Sequence, residues 1–433
     1  MDSPAARLEV DPLLDDPRTR IVVCCGSGGV GKTTTAAALG VRAAERGRKA
    51  VVLTIDPARR LAQSMGISEL DNVPRRVKGV DESAGGELHA MMLDMKRTFD
   101  EIVEAHADGE RARAILENPF YQSLSAGFAG TQEYMAMEKL GQLRTRDAWD
   151  LIIVDTPPSR SALDFLDAPK RLGSFLDGKF IRVLMAPAKA GGRAGMKFLN
   201  VGMSMMTGTL SKIMGGQLLR DVQTFAAAMD TMFGGFRTRA DATYRLLQAP
   251  GTAFLVVAAP ERDALREAAY FVERLAAEQM PLAGLVLNRV HGSGAAQLSA
   301  ERALAAAEAL SEPSDARSEN LGGDGIVDLE AGKADSRTAD GPSPAAADPS
   351  TTDDSPSAAR LAAGLLRLHA ERMHVLARER RTRDRFTALH PEVPVAEIAA
   401  LPGDVHDLAG LRAIGERLAV QERGAEESGD GEG

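Results

Sequence analysis

The sequence has little cysteine, few aromatic residues and no long apolar segment. Only Cys24 and Cys25 are cysteines among 433 residues, and aromatic residues make up 4% of the chain. Neighbouring residues on a strand point to opposite faces, so this pair cannot easily form a disulfide or share a metal. No zinc or redox spacing of cysteines occurs elsewhere. A metal or disulfide framework built on cysteine is therefore not expected.

Segments that would direct the chain into or across a membrane are also lacking. No run of about 18 apolar residues predicts a transmembrane segment. The chain does not begin with a basic and then apolar signal segment. We therefore expect a cytoplasmic protein, with a peripheral position at the membrane as the alternative.

The excess of acidic residues is confined to polar segments. The formal net charge is −9, but residues 311–357 contain eleven acidic and three basic residues, and residues 422–433 contain five acidic and one basic. The remaining chain carries a formal charge of +3. This balance does not favour a nucleic-acid partner, and we expect none.

The strongest signal is a glycine-rich stretch between an apolar run and a helix of small residues. Residues 21–25 predict a buried strand, and the helix extends from Lys32 to about Ala44. Loop N–H groups and the positive end of the helix bind phosphate oxygens, the lysine reaches the β- and γ-phosphates, and the following hydroxyl ligates Mg²⁺. The alternative, a turn without a ligand, does not explain the Lys-Thr pair. The full pattern is Gly26-Ser27-Gly28-Gly29-Val30-Gly31-Lys32-Thr33, followed by Thr34.

Acidic residues end two further predicted strands. Residues 49–55 lead into Asp56, and residues 149–155 end at Asp155. The order strand, loop, helix, strand is a βαβ unit, which predicts a parallel sheet with ligands at the carboxyl ends of its strands. Asp155 fits the metal-side acid of phosphate-loop ATPases. Asp56 is either a group that orients the attacking water or a turn-forming residue before Pro57.

The element order predicts an α/β fold, a phosphate-loop NTPase with a mostly parallel sheet flanked by helices. We expect one ATPase domain over residues 20–420, after a loose lead-in at residues 1–19 and before a polar tail at 421–433. Residues 311–357 are rich in Asp, Ser, Pro, Gly and Ala, which predicts a disordered insert. Further strands are predicted at 253–259, 282–287 and 392–401, and a highly charged helix at 358–388.

A helical subdomain is predicted at about residues 95–145 and 170–248. The second part is rich in methionine, and Leu199, Met203 and Met206 recur at helical spacing. Such a stripe indicates either an ordinary core face or an adaptable binding groove, because methionine serves both. Both interpretations stay open.

These motifs together resemble the ArsA-like ATPases, which include the bacterial arsenical-pump ATPase and the eukaryotic factor that carries tail-anchored membrane proteins. The resemblance spans about residues 20–420 apart from the insert, and is nearest to one member of the paired actinobacterial ArsA-like (anion-transporting) ATPases. It implies a deviant phosphate-loop ATPase that uses ATP and Mg²⁺ and works as a dimer. The motifs are the loop at 26–33, Asp56-Pro57, Asp155-Thr156-Pro157-Pro158 and Asn288.

Carried over by position, the resemblance implies roles for individual residues. Lys32 and the loop glycines bind phosphate, and Thr33 with Asp155 holds Mg²⁺, in part through water. Asp56 begins a first switch and positions the attacking water, while Asp155 begins a second switch. The adenine-side residues implied are Asn288, which contacts the base, and Pro402 in the Leu401-Pro402 turn, which closes the pocket.

Two positions depart from the family pattern. Ser27 stands where the family carries a second lysine that reaches the partner's nucleotide, and such a cation is worth about 10³-fold or more in turnover. A homodimer would then hydrolyse ATP slowly, or a paralogous ArsA-like subunit would supply the lysine; we favour the heterodimer. Arg160 and Ser161 replace the Gly-His of targeting relatives, and the role of Arg160 stays open.

Three functions are compatible with these residues. The first is an ATP-driven chaperone or targeting factor whose helical insertion binds a hydrophobic client helix or membrane protein. The second is an ATPase subunit of an anion pump, although arsenite itself is disfavoured because soft metalloids need available thiolates. The third is a regulatory nucleotide-binding subunit of a heterodimer with slow intrinsic hydrolysis, which Ser27 favours.

Overall fold

A computed structural model of the chain describes residues 6–55, 60–67, 70–119, 121–122, 125, 131–157, 235, 238–311 and 355–419. Within these residues, one sheet has the strand order β3-β4-β2-β5-β1-β6-β7-β8. Its neighbours are parallel except for β3 and β4. The predicted α/β class and mostly parallel sheet are therefore confirmed. The strands are β1 Ile21–Cys25, β2 Lys49–Thr54, β3 Arg75–Arg76, β4 Glu87–Met92, β5 Leu151–Asp155, β6 Thr252–Ala258, β7 Leu282–Val290 and β8 Val395–Ala399.

Helices connect and flank these strands. Aspartates cap two of them, since Asp94 accepts a hydrogen bond from Arg97 N–H and Asp108 accepts one from Arg111 N–H. Residues 238–248 are also helical. The other helices are α1 Val10–Asp15, α2 Lys32–Glu45, α3 Arg60–Ser64, α4 Met95–His106, α5 Gly109–Leu116, α6 Thr131–Arg146, α7 Arg262–Ala277, α8 Ala300–Ser311, α9 Ser355–Leu389 and α10 Leu408–Ala419.

The central strands are buried on both faces, which explains their almost continuous apolar sequences. Every residue of β1, β5 and β6 is buried. Alternate residues divide between two cores: Cys25 lies in the core that includes Val23, and Cys24 lies in the one that includes Val22. The two cysteines therefore point to opposite faces of the sheet, as predicted.

The chain divides into two compact units. One comprises Met1–Val290 with Thr382–Gly433 and contains the whole sheet; the other is His291–Arg381. In the second unit, α8 and α9 bury small side chains, including Ala307 and Ala363. The predicted helix at 358–388 corresponds to α9. Most of the predicted helical segment 170–248, and most of the insert 311–357, lie outside the described residues.

Short elements were the hardest to predict. The two residues of β3 pair antiparallel with β4, and a segment this short carries no periodicity from which it can be predicted. Strand β8 is shorter than the stretch 392–401 that was predicted, because its pairing with β7 ends at Ala399.

Buried charges anchor α6 among its helical neighbours. Lys139 is almost fully buried, and its Nζ donates to Glu101 Oε2 on α4 at 2.8 Å. The adjacent Glu138 accepts from Arg239 Nε at 2.7 Å and from the Tyr134 hydroxyl at 3.1 Å. Each ion pair joins α6 to a different helical segment, so the pairs fix where this helix lies.

Lys139→Met should destabilise the fold, because it leaves the Glu101 carboxylate without its buried cation. We expect a loss of about 3 kcal/mol in the free energy of unfolding, measured by urea denaturation. Lys96→Met is the matched control, since Lys96 pairs with Asp100 at 2.8 Å from a 45% exposed side chain. That change should cost less than about 1 kcal/mol. Equal losses in the two variants would contradict a special role for the buried pair.

Candidate active site

The glycine-rich loop lies between the end of β1 and the start of α2, and its backbone needs glycine. The φ angles of Gly26, Gly29 and Gly31 are +149°, +77° and +96°, backbone conformations that residues with a Cβ rarely adopt. A Cβ on Gly26 would also fall 2.1 Å from the Val257 carbonyl oxygen of β6. Strand β6 therefore confines the loop from one side, and only glycine fits there.

Lys32 lies inside this loop. It is the first residue of α2 and only 5% exposed, and its Nζ donates to the Ser27 carbonyl oxygen at 2.7 Å. The ammonium group thus spans the loop from the helix back to the second loop residue. Ser27 itself is half-buried, whereas Gly28 and Gly29 are exposed at the tip of the loop. A cation held at this point, with the N-terminus of α2, suits an anionic ligand.

Asp155 is the meeting point of three elements. Its Oδ2 accepts hydrogen bonds from the Thr33 hydroxyl of α2 at 2.7 Å and from the Thr54 hydroxyl of β2 at 2.9 Å. Asp155 has no exposed surface. Hydroxyl and carboxylate oxygens are the ligands that Mg²⁺ prefers, so Thr33 and Asp155 form a suitable donor set for it. The structure brings these two residues into contact, while their predicted binding of Mg²⁺ stays a prediction.

The backbone at the end of β5 is tied to neighbouring strands. Thr156 uses both its hydroxyl and its N–H to donate to the Cys24 carbonyl oxygen, at 2.9 and 3.2 Å. The Asp155 carbonyl oxygen accepts from Ile55 N–H at 3.0 Å. The end of β5 is therefore coupled to β1, just before the loop, and to β2.

Asn288 packs against the loop. Its Nδ2 donates to the Val30 carbonyl oxygen at 2.8 Å, and its Oδ1 accepts from Arg289 N–H at 2.9 Å. A Cβ on Gly31 would fall 2.2 Å from the same Nδ2. The amide thus has a carbonyl acceptor on one side and an N–H donor on the other, which fixes its orientation. The predicted contact of Asn288 with adenine stays a prediction.

The other residues predicted for the site lie in the first turn of α2, in the turn after β8, or outside the described residues. Asp56 and Arg160 lie outside the described residues. Thr34 is half-buried in the first turn of α2. Pro402 is exposed in the turn after β8, two residues beyond Ala400, whose N–H donates to the Val290 carbonyl oxygen at 2.9 Å. That turn begins at the same end of the sheet as Asn288, near the end of the neighbouring strand β7.

Sequence reasoning missed Thr54 as part of the site and gave Thr156 no role of its own. Thr54 is the last residue of β2, and the hydroxyl of Thr156 crosses to β1. The available signal was position, because polar residues at the carboxyl ends of parallel strands gather at one edge of the sheet. Nothing in the sequence specified which partner each hydroxyl would bind.

The cysteines are not activated. Burial raises the pKa of the Cys25 thiol to about 12. Burial and the nearby Asp155 carboxylate also raise the pKa of the Cys24 thiol well above its usual range. Both therefore remain neutral thiols at physiological pH. Among the described residues, no group of three or more His, Cys, Asp or Glu side chains could hold a metal ion, and no helix is long and apolar enough to cross a membrane.

Comparison with known proteins finds a matching family and several relatives. The family described as "Anion-transporting ATPase" matches residues 19–304. ATPase GET3 of Podospora anserina is 26% identical over 308 residues, which cover 70% of this chain and 83% of that protein. The putative arsenical pump-driving ATPase of Halobacterium salinarum is 31% identical over 202 residues, 44% of this chain and 29% of that protein. Protein Rv2184c of Mycobacterium tuberculosis is 29% identical over 171 residues, 37% and 40% of the two chains.

Two glycine substitutions separate backbone strain from crowding at the loop. Gly31→Ala combines a positive φ with a Cβ 2.2 Å from Asn288, whereas Gly29→Ala has a positive φ but no atom within 4 Å of its Cβ. We expect Gly31→Ala to weaken Mg·ATP binding at least about tenfold more than Gly29→Ala, about 1.4 kcal/mol, measured by calorimetric titration. Similar losses would contradict crowding by Asn288.

Proposed function

The chain belongs to the anion-transporting ATPase family, which its residues 19–304 match, and on that basis we propose that it is a Mg²⁺-dependent ATPase whose nucleotide state controls binding of a hydrophobic client or a membrane-protein partner. The observation that supports hydrolysis best is the joint arrangement of Lys32 within the loop and Thr33 against Asp155. In this arrangement Lys32 would hold the phosphates, and Thr33 with Asp155 would hold Mg²⁺ beside them.

The chemistry of phosphoryl transfer explains why these groups suffice. The reaction needs charge stabilisation and an aligned water rather than a covalent intermediate. Lys32 and the loop N–H groups would hold the phosphates, and Thr33 with Asp155 would hold Mg²⁺, which neutralises charge on the phosphate oxygens. Asp56 comes two residues after the end of β2 and would orient the water. Because Lys32 is already folded into the loop, little side-chain entropy is lost when it binds phosphate.

Two observations bear on the client, and they favour different partners. Similarity to ATPase GET3 and the methionine-rich residues 170–248 support binding of a hydrophobic helix in an apolar groove. The family description supports an anion pump instead. Arsenite is disfavoured for that pump, because Cys24 and Cys25 are buried neutral thiols rather than thiolates.

Ser27 supports a second candidate, a regulatory subunit in a heterodimer. Its carbonyl oxygen accepts from Lys32 Nζ, and its hydroxyl cannot supply the cation that the family places at this position. A paralogous partner would then provide that charge across the interface. A homodimer with slow turnover is the alternative. In either assembly we propose a cytoplasmic protein, with peripheral attachment to the membrane when its partner is a membrane protein.

Asp155→Asn tests the proposed ATPase activity. The isosteric amide removes the charge that Mg²⁺ requires, so we expect Mg²⁺-dependent ATP hydrolysis by the purified chain to fall about 100-fold or more. Asp150→Asn is the matched control, because Asp150 immediately precedes β5, at the other end of the strand from Asp155. The hydrogen bond that the structure gives for its side chain comes from Lys49 N–H. That variant should retain activity. A wild-type chain that neither binds nor hydrolyses ATP would contradict the proposed function.

Ser27→Lys tests the missing cation. If a homodimer forms, the added lysine should raise turnover at least about tenfold, because it restores charge stabilisation from the partner subunit. Hydrolysis rates should be measured together with molecular mass in solution by light scattering, and Ser27→Met controls for side-chain size. Fast hydrolysis by the wild-type chain, unchanged in Ser27→Lys, would contradict the idea that this cation limits turnover.

A further inference from the structure

We propose that Gln132 is a positioning residue that fixes the point where β2 leaves the sheet, just before Asp56, and so links this point to α6. The inference rests on the proposed ATPase function and adds a residue that the phosphate-loop motifs do not include. It concerns how the helical part of the chain is connected to the site of hydrolysis.

The connection is a single well-formed hydrogen bond. Gln132 Nε2 donates to the Ile55 carbonyl oxygen at 2.9 Å, across 77 residues of sequence. Ile55 is 3% exposed and immediately precedes Asp56. Its N–H donates to the Asp155 carbonyl oxygen at 3.0 Å. The peptide groups of Ile55 therefore have one partner at the end of β5, beside the proposed metal site, and another on α6.

The Ile55 carbonyl needs a side-chain donor because the strand pairing of β2 ends one residue earlier. The register of β2 with β4 ends at Thr54 and Met92, and that of β2 with β5 ends at Thr54 and Asp155. The Ile55 carbonyl is thus the first carbonyl of this chain segment beyond the paired residues. A buried carbonyl without a donor costs about 1–3 kcal/mol, so the Gln132 amide both satisfies the group and fixes its direction.

The position of Gln132 is in turn fixed by α6. Tyr134, Met135 and Met137 are buried in the core on one face of the sheet. The buried pairs of Glu138 and Lys139 hold the same helix to its neighbours. After α6 the chain continues into β5, which ends at Asp155. A shift of α6 would therefore reach the Ile55 carbonyl through Gln132 and the strand of Asp155 through the backbone.

The donor and acceptor of this hydrogen bond determine which substitution of Gln132 tests it. The acceptor is a carbonyl oxygen, so the side chain must present its NH₂ group there. Gln132→Glu keeps the size but replaces the donor with a carboxylate oxygen that repels the carbonyl. Gln248→Glu is the matched control, because Gln248 Nε2 donates to the Glu278 carbonyl oxygen at 2.8 Å, in a part-buried bond of the same type. Glu278 follows α7, whereas Ile55 adjoins the site.

The experiment compares both variants with the wild-type full-length chain. For Gln132→Glu we expect kcat of ATP hydrolysis to fall about tenfold or more, because small misplacements of reacting groups are costly, while the Kd for ADP stays within about twofold. Gln248→Glu should leave kcat unchanged. Amide hydrogen exchange in a peptide spanning residues 50–62 should become faster only in Gln132→Glu, which reports on the end of β2 without requiring activity.

Measurements of kcat and of amide exchange together separate a positioning role of Gln132 from a purely structural one. An unchanged kcat with unchanged exchange in Gln132→Glu would overturn the inference, and so would equal losses of kcat in both variants, which would indicate a purely structural role. If the wild-type chain does not hydrolyse ATP, the proposed function fails. The exchange measurement then still tests whether Gln132 fixes the end of β2, and unchanged exchange would overturn the positioning role.

Discussion

The Asp155 carboxylate is the interaction on which the site depends. One of its oxygens receives the Thr33 hydroxyl from the phosphate-loop helix and the Thr54 hydroxyl from the next strand. Three elements distant in sequence therefore meet at one buried charge. Such a charge is costly to bury unless hydrogen-bonded, so these bonds both stabilise the carboxylate and hold the loop helix against β2 and β5.

Contacts from neighbouring strands restrict the backbone of the glycine-rich loop. Strand β6 excludes a side chain at Gly26, and Asn288 at the end of β7 excludes one at Gly31. Thr156 binds the backbone of β1 just before the loop begins. The loop is thus shaped by three parallel strands rather than by its own sequence alone. Gln132 extends the same arrangement to the helices, because it binds the backbone where β2 ends.

Local patterns predicted the class of fold and its buried strands correctly. The spacing of glycines with Lys32 and Thr33 indicated a phosphate loop because that chemistry requires those residue types in consecutive positions. The apolar runs at 21–25 and 149–155 predicted buried parallel strands, and the strand end marked Asp155. These features need only neighbours in sequence. The roles of Asp56 and Pro402, which the resemblance implies, stay predictions.

Tertiary structure alone decided the partners of Thr54, Thr156, Asn288 and Gln132. Their hydrogen bonds join residues 77 to 258 positions apart, and no local periodicity encodes such pairings. The strand order was also beyond the sequence, since β5 lies between β1 and β2 although about 95 residues separate it from β2 along the chain. The sequence by itself determined the residues of the predicted phosphate loop and the class of fold. Only the folded sheet, by bringing strand ends together, determined which side chains hold that loop in place.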